Sequence, residues 1–281
     1  MSKFHLLHCV PHARAHGLNG YREVIESIEW GLAQLGHEVS YAQNSFRPSA
    51  KNIIFGAQVL PVAVLRKLPG DSIVYNFEQI PRLLKDGARP DVPHYARHFE
   101  IWDYSLSNCD SWKSLGVANP KCVQVGYAPV LTRIPKSSIQ DIDILIYGMA
   151  GDKRLTAFHR LSSAGLNIVF ASGLYGESRD ALIAKSKIVL NINRCDYAQI
   201  FEIVRVSYLF ANRKAVVATL DEDTVFEEDV NRSLRFTTLE KLVDDCVQLL
   251  DNEDERAWLE NVGYENFIKR DIKKILRDAL S

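Results

Sequence analysis

The sequence predicts an α/β protein built as two parallel-sheet halves, and three observations carry that prediction. Short β-type runs alternate with longer helical patterns from residue 4 to residue 126. The alternation breaks once, over residues 127–141 (YAPVLTRIPKSSIQD), where two prolines, two serines and no periodicity mark a linker. It then restarts and continues to the closing helices. At 281 residues the chain has room for one large domain or two of roughly 130–140 residues, each able to bury a core.

Taken in order, residues 4–10 (FHLLHCV) read as a buried strand, followed by a loop rich in His and Gly. Residues 21–35 place Val24, Ile25, Ile28 and Leu32 at three- and four-residue spacing, the mark of a helix with one apolar face, and Gly36 ends it. Strands are expected at 38–42 and 52–55, then an apolar helix near 59–68 that carries Pro61 close to its start. Further strands are expected at 72–77, 101–106 and 122–126. Beyond the linker, strands at 142–147, 168–171, 188–192 and 215–220 alternate with helices at 154–164, 179–184 and 201–210. The tail from residue 239 is nearly all helical. Such alternation implies right-handed βαβ units and mostly parallel sheets, hence two Rossmann-like domains. Their boundaries are expected at 1–128 and 142–281 with a linker at 129–141, the last helices crossing back to the first domain. Ligands are expected at the carboxyl ends of the strands, in a cleft between the domains.

Composition narrows the functional classes. The chain carries 34 Lys and Arg against 35 Asp and Glu, a formal net charge of −1, which argues against a general nucleic-acid binder. A phosphate-bearing ligand must therefore be held by a few local groups. Five scattered cysteines without a Cys-x-x-Cys fit reduced thiols in a cytoplasmic protein better than a disulfide framework or a zinc site. No run is apolar for the ~18 residues of a transmembrane segment, and the apolar start reads as a strand rather than a signal peptide. Peripheral membrane contact stays open, although no strongly basic amphipathic face supports it. Trp30, Trp102, Trp112 and Trp258 are expected in the core.

Familiar catalytic signatures are missing. The sequence has no G-x-G-x-x-G, no G-x-x-x-x-G-K-[ST], no H-E-x-x-H and no G-x-S-x-G. The second half offers another kind of phosphate chemistry. In YGMAGDKR (147–154), a strand ends and a helix begins, so glycines beginning with Gly148 let backbone N–H groups approach a diphosphate while Lys153 and Arg154 neutralise it. The same stretch is compatible with a plain glycine turn and a solvated basic pair. A second glycine loop, ASGLYG (171–176), holds Gly173 and Tyr175, the latter placed to stack on a base or to cap the core. Asn191 and Asn193 end the next strand, and Glu202 and Arg205 open the following helix. There a carboxylate can accept sugar hydroxyls and a guanidinium can pair with phosphate, or the two form a simple intrahelical pair. Asp221-Glu222-Asp223 after an apolar strand reads as a solvated acidic loop, with a divalent-cation site as the alternative.

Residues 147–219, and within them FEIVRVSYLFANRKAVVAT (201–219), resemble the nucleotide-sugar half of group 1 GT-B glycosyltransferases. The tail, with NRSLRF (231–236) and then 239–250 and 254–266, is similar to that family's loop and closing helices. WDYSLSN (102–108) through VGY (125–127) resembles the end of an acceptor domain. The resemblance implies transfer of a sugar from a UDP- or GDP-sugar to an acceptor such as a glycan or a lipid-linked sugar, with no cofactor beyond that substrate and no metal. One departure stands out. Many relatives carry two glutamates eight positions apart, and here Gln199 and Ser207 fall at those places. Glu202 then substitutes for one of them. The resemblance implies a general base from the first half. Glu78, after the strand ending at Asn76, is the first candidate, and His12 and His16 in the loop after the first strand are the others. The rival readings are a nucleotide-sugar epimerase of the same architecture and a non-catalytic nucleotide- or protein-binding module.

Overall fold

The computed structural model describes residues 1–10, 18–80, 92–193, 199–221 and 224–281. The chain divides into two units, residues 1–128 with 271–281, and residues 129–270. Each is built around its own all-parallel sheet.

In the first unit the strands are β1 (Lys3–His8), β2 (Glu38–Gln43), β3 (Lys51–Phe55), β4 (Ile73–Asn76), β5 (Glu100–Asp103) and β6 (Lys121–Cys122). They lie in the order β2-β1-β3-β4-β5-β6. The chain order reverses between β1 and β3, so the switch point of the sheet lies there. Helix α1 (Arg22–Gln34) buries Val24, Ile25, Ile28 and Leu32, as their spacing requires, and Gly36 leaves it at φ +83°. The expected helix at 59–68 is broken. A 3₁₀ turn (Ala57–Val59) is followed by the single turn α2 (Val62–Leu65), because Leu60 precedes Pro61 and is driven into the extended region at ψ 135°. Helices α3 (Val92–His98) and α4 (Leu106–Ser114) complete the crossovers. Trp102 and Trp112 are fully buried in this unit.

The second unit holds β7 (Ile142–Tyr147), β8 (Ile168–Ala171), β9 (Ser186–Asn191), β10 (Ala215–Thr219) and β11 (Arg235–Thr237) in the order β11-β10-β9-β7-β8. Its switch point falls between β7 and β9. Helices α5 (Asp152–Ser163), α6 (Glu177–Lys185), α7 (Ile203–Ala211), α8 (Leu242–Asp251) and α9 (Glu253–Phe267) surround it. The apolar runs of β7, β9 and β10 are buried on both faces, as an internal parallel sheet demands. Gly263 lets α9 close on α7, since a Cβ there would lie 2.7 Å from Phe210 Cδ1.

Two expectations need correction, the linker and Trp258, while a third, the return of the last helix, is met. The segment 129–141 is strapped onto the second unit: the backbone N–H groups of Arg133 and Ile134 donate to Asn212 Oδ1 at 2.9 and 2.8 Å, and Lys136 pairs with Glu260 at 2.8 Å. The last helix crosses back as expected, so the second unit ends at residue 270 rather than 281. The final helix α10 (Ile272–Leu280) packs in the first unit, where it seats on two glycines. A Cβ on Gly31 would meet Leu276 Cδ1 at 2.7 Å, and one on Gly126 would meet Ile272 Cδ1 at 2.9 Å. Trp258 is 53% exposed on α9 rather than in the core.

Candidate active site

The carboxyl ends of β7 and β9 flank the switch point of the second unit, and the charged residues singled out in the sequence gather there. β7 leads into Gly148 at φ +117°, a conformation that penalises any side chain. A Cβ at this position would stand 3.0 Å from both Arg154 Nη1 and Arg205 Nη2. The glycine therefore creates the space that two guanidinium groups occupy.

Arg154 is only 2% exposed. Its Nε donates to Ile192 O and its Nη1 to Met149 O, both at 2.8 Å, so the side chain ties the loop after β7 to the end of β9. Arg205, in the first turn of α7, donates to Asn191 Oδ1 at 3.2 Å and lies over the Tyr147 ring at 5.3 Å. Glu202, at the N-cap position of α7, sits 2.8 Å from Arg205 Nη2 and 3.7 Å from Arg154 Nη2. One carboxylate thus bridges two cations. The intrahelical pair weighed in the sequence is present, but its acid is shared with a second arginine.

Lys153 pairs with Asp221 Oδ1 at 2.5 Å, and Asn193 Nδ2 donates to Asp221 Oδ2 at 3.0 Å. Asp221 is thereby a clamp between the first turn of α5 and the loop after β9, not part of a solvated acidic loop. Glu222 and Asp223 lie outside the described residues. Helix α5 begins at Asp152, two residues earlier than expected, so Lys153 and Arg154 belong to its opening turn. The N–H groups of that turn have no intrahelical partner and carry the positive end of the helix dipole.

The remaining candidates divide. Asn191 ends β9 with its side chain buried, and its Nδ2 has no hydrogen-bond partner among the described residues. Gly173 (φ +75°) and half-buried Tyr175 follow the edge strand β8. Ser207 is buried, and its Oγ donates back to Val204 O at 3.1 Å in its own helix.

In the first unit, Glu78 follows β4. Its Oε1 accepts from Gln58 Nε2 at 2.8 Å and from Tyr21 O–H at 3.1 Å. Its backbone carbonyl accepts from Asn76 Nδ2 at 2.7 Å and Asn108 Nδ2 at 2.8 Å. Both asparagines also donate to Asp103, a fully buried carboxylate at the end of β5 that further accepts from Ser105 N and Trp112 Nε1. Burial raises the Asp103 pKa to about 7, against the opposing pull of the hydrogen bonds from Asn76, Ser105, Trp112 and Asn108. Sequence reasoning missed Asp103. Its only signal was an acid closing an apolar strand between two tryptophans. His12 and His16 lie outside the described residues.

Two Rossmann-like sheets of this kind, each with chemistry at its strand ends, make up the GT-B fold, and comparison with solved structures shows that fold. Anabaena HepE in complex with UDP-glucose is 12% identical, with a TM-score of 0.64 over 100% of this chain and 99% of its own. WaaG, a glycosyltransferase involved in lipopolysaccharide biosynthesis, gives 12% identity and a TM-score of 0.61 over 99% and 98%. T4 phage BGT in complex with UDP and Mn2+ gives 13% and 0.57 over 100% and 98%.

No protein-family model matches the sequence. An uncharacterized protein of Acanthamoeba polyphaga mimivirus is 26% identical over 169 residues, 57% of this chain and 54% of that protein. A second from the same virus is 28% identical over 105 residues, 36% of each. The match therefore spans about half the length of the first relative and about a third of the second. Among the described residues no helix is long and apolar enough to cross a membrane.

Proposed function

We propose that the chain transfers a sugar from a nucleoside-diphosphate sugar to an acceptor hydroxyl, with the diphosphate held in the cradle at the ends of β7 and β9. The observation that carries this reading is the buried Asn191 amide, whose Nδ2 donor has no partner among the described residues while its Oδ1 is held by Arg205. A buried unpaired donor costs about 1–3 kcal/mol. A diphosphate or ribose oxygen would satisfy it.

In the reaction the bond between the sugar's anomeric carbon and the diphosphate oxygen breaks, and the acceptor oxygen bonds to that carbon. Charge grows on the departing diphosphate. Arg205, Lys153 and the N–H groups opening α5 stabilise it by preorganised electrostatics, and the transfer we propose is metal-independent. Glu202 exchanges its guanidinium partners for sugar hydroxyls as phosphate takes them over. Arg154, with its carbonyl contacts, fixes the cradle's shape. Glu78 accepts the acceptor proton. UDP- and GDP-sugars are the donors to try first, with glycans and lipid-linked sugars as acceptors.

Calorimetry with UDP, GDP and their sugars tests this. Arg205→Ala is expected to weaken donor binding by about 10–100-fold, the worth of a charge-assisted hydrogen bond, and transfer is expected to persist in EDTA. Full binding and transfer by both Arg205→Ala and Asn191→Ala would overturn the assignment. Isomerisation of the donor sugar without acceptor would establish the epimerase, and nucleotide binding without turnover across a donor and acceptor panel the non-catalytic module.

A further inference from the structure

The opposite end of the second sheet carries a separate feature. At the amino ends of β9 and β10 a cavity of about 300 Å3 is lined by Ile134, Pro135, Lys136, Lys214, Ala257 and Glu260, among others. That volume lies at the lower limit of small-molecule sites. β9 runs from Ser186 at this end to Asn191 at the cradle. Five residue steps of a strand span about 16 Å, so the two places do not overlap.

Lys214 is the unusual member. It is 4% exposed, and among the described residues its ammonium makes one hydrogen bond, to Ser186 O at 2.6 Å. An ammonium has three N–H donors and no acceptor, so two remain to be satisfied. Burial lowers its pKa to about 8, with Glu260 pulling the other way and Lys136 adding to the depression. Glu260 makes no ion pair with it among the described residues, its carboxylate lying 2.8 Å from Lys136. Arg213, also on the wall, donates to Asn261 Oδ1 and lies over the Tyr264 ring. Once the Lys136–Glu260 pair cancels, the lining holds two cations and a partly apolar wall from Ile134, Pro135, Ala184 and Ala257. A buried cation with one neutral partner is a costly arrangement in a packed domain, and an anion relieves the cost.

We propose that this cavity is a binding site for a small organic oxyanion, its carboxylate or phosphate head on the Lys214 ammonium and a short apolar body against Ile134, Pro135 and Ala257. The assignment is independent of the function proposed for the cradle.

Trace acetylation read by mass spectrometry tests it on the whole chain, with exposed Lys113 as the internal reference and butyrate, inorganic phosphate and butylamine as probes. Butyrate or phosphate at ten times its Kd is expected to slow Lys214 labelling about tenfold, with Lys113 unaffected and butylamine without effect. Ala257→Phe, which fills the cavity and keeps the lysine, is expected to abolish the protection. Should that variant fail to fold, Lys214→Met carries the test through loss of the butyrate-dependent rise in Tm. Labelling that neither oxyanion slows, or protection that survives in the variant with the filled cavity, would overturn the proposal.

Discussion

Each unit carries a carboxylate-centred knot at the ends of its parallel strands, yet the two are satisfied by opposite means. In the second unit Glu202 is held by charge, shared between Arg205 at 2.8 Å and Arg154 at 3.7 Å, and its side chain keeps 31% of its surface in solvent. In the first, Asp103 has no exposed surface and is held by N–H donors from Asn76, Asn108, Trp112 and the backbone of Ser105. Ion pairs at a half-open site can change partners, and under the proposed function an incoming phosphate would compete for the same guanidinium groups. Four neutral donors converging on the lone pairs of one buried carboxylate leave nothing to exchange. The first arrangement suits a ligand site, the second a support that fixes the backbone carrying Glu78.

The largest test of that contrast is to remove each acid in turn. Asp103→Ala leaves four buried N–H groups unpaired. At about 1–3 kcal/mol for each unsatisfied group the loss of stability is expected to exceed about 3 kcal/mol. Glu202→Ala leaves Arg205 with Asn191 and the Tyr147 ring, and Arg154 with its two carbonyl contacts, and is expected to cost less than Asp103→Ala. Urea unfolding midpoints compare the two. Equal costs would show that the Asp103 knot is not the rigid partner.

A smaller effect sharpens the comparison inside the cradle. Gly148→Ala puts a side chain at φ +117° and within 3.0 Å of two guanidinium groups. Backbone strain of this kind costs about 1–3 kcal/mol, and the displaced arginines are expected to weaken nucleotide-sugar binding in calorimetry. Gly70→Ala, where an added Cβ meets nothing within 4 Å, is expected to change stability by less than about 0.5 kcal/mol. Were the two substitutions equivalent, the close approach at Gly148 would carry no structural weight.

Much of this organisation was readable because it is local. Helix α1 announces itself through four apolar residues at helical spacing, and β7 and β8 match the expected 142–147 and 168–171. The short strand β11 escaped notice, since three residues at a sheet edge have too little periodicity to register. The cradle was legible as a set of residue types, with Gly148, Lys153, Arg154, Asn191, Asn193, Glu202 and Arg205 all placed at strand ends. Its pairing was not. That Lys153 would meet Asp221, sixty-eight positions away, depends on the register of β9 against β10 and not on any local pattern. Asp103 was hidden for the same reason: its partners come from β4, from Ser105 at the N-cap of α4, and from α4 itself.

The last test concerns the pH dependence of the Asp103 knot. Burial lifts the Asp103 pKa from its ordinary value of 3.8 to about 7. The folded chain therefore binds this proton more tightly than the unfolded chain across that interval. For an acid shifted upward the sign is definite: the contribution to stability is complete below about pH 4, falls as pH rises, and is gone above about pH 7. One proton sets a slope of at most about 1.4 kcal/mol per pH unit. Asp103→Asn, which cannot titrate, is expected to flatten the pH dependence of the urea midpoint between pH 4 and 7 relative to the parent chain. An unchanged slope in that variant would mean that the four N–H donors hold Asp103 ionised throughout, and that the support beneath Glu78 keeps its charge even where the surrounding solvent is acidic.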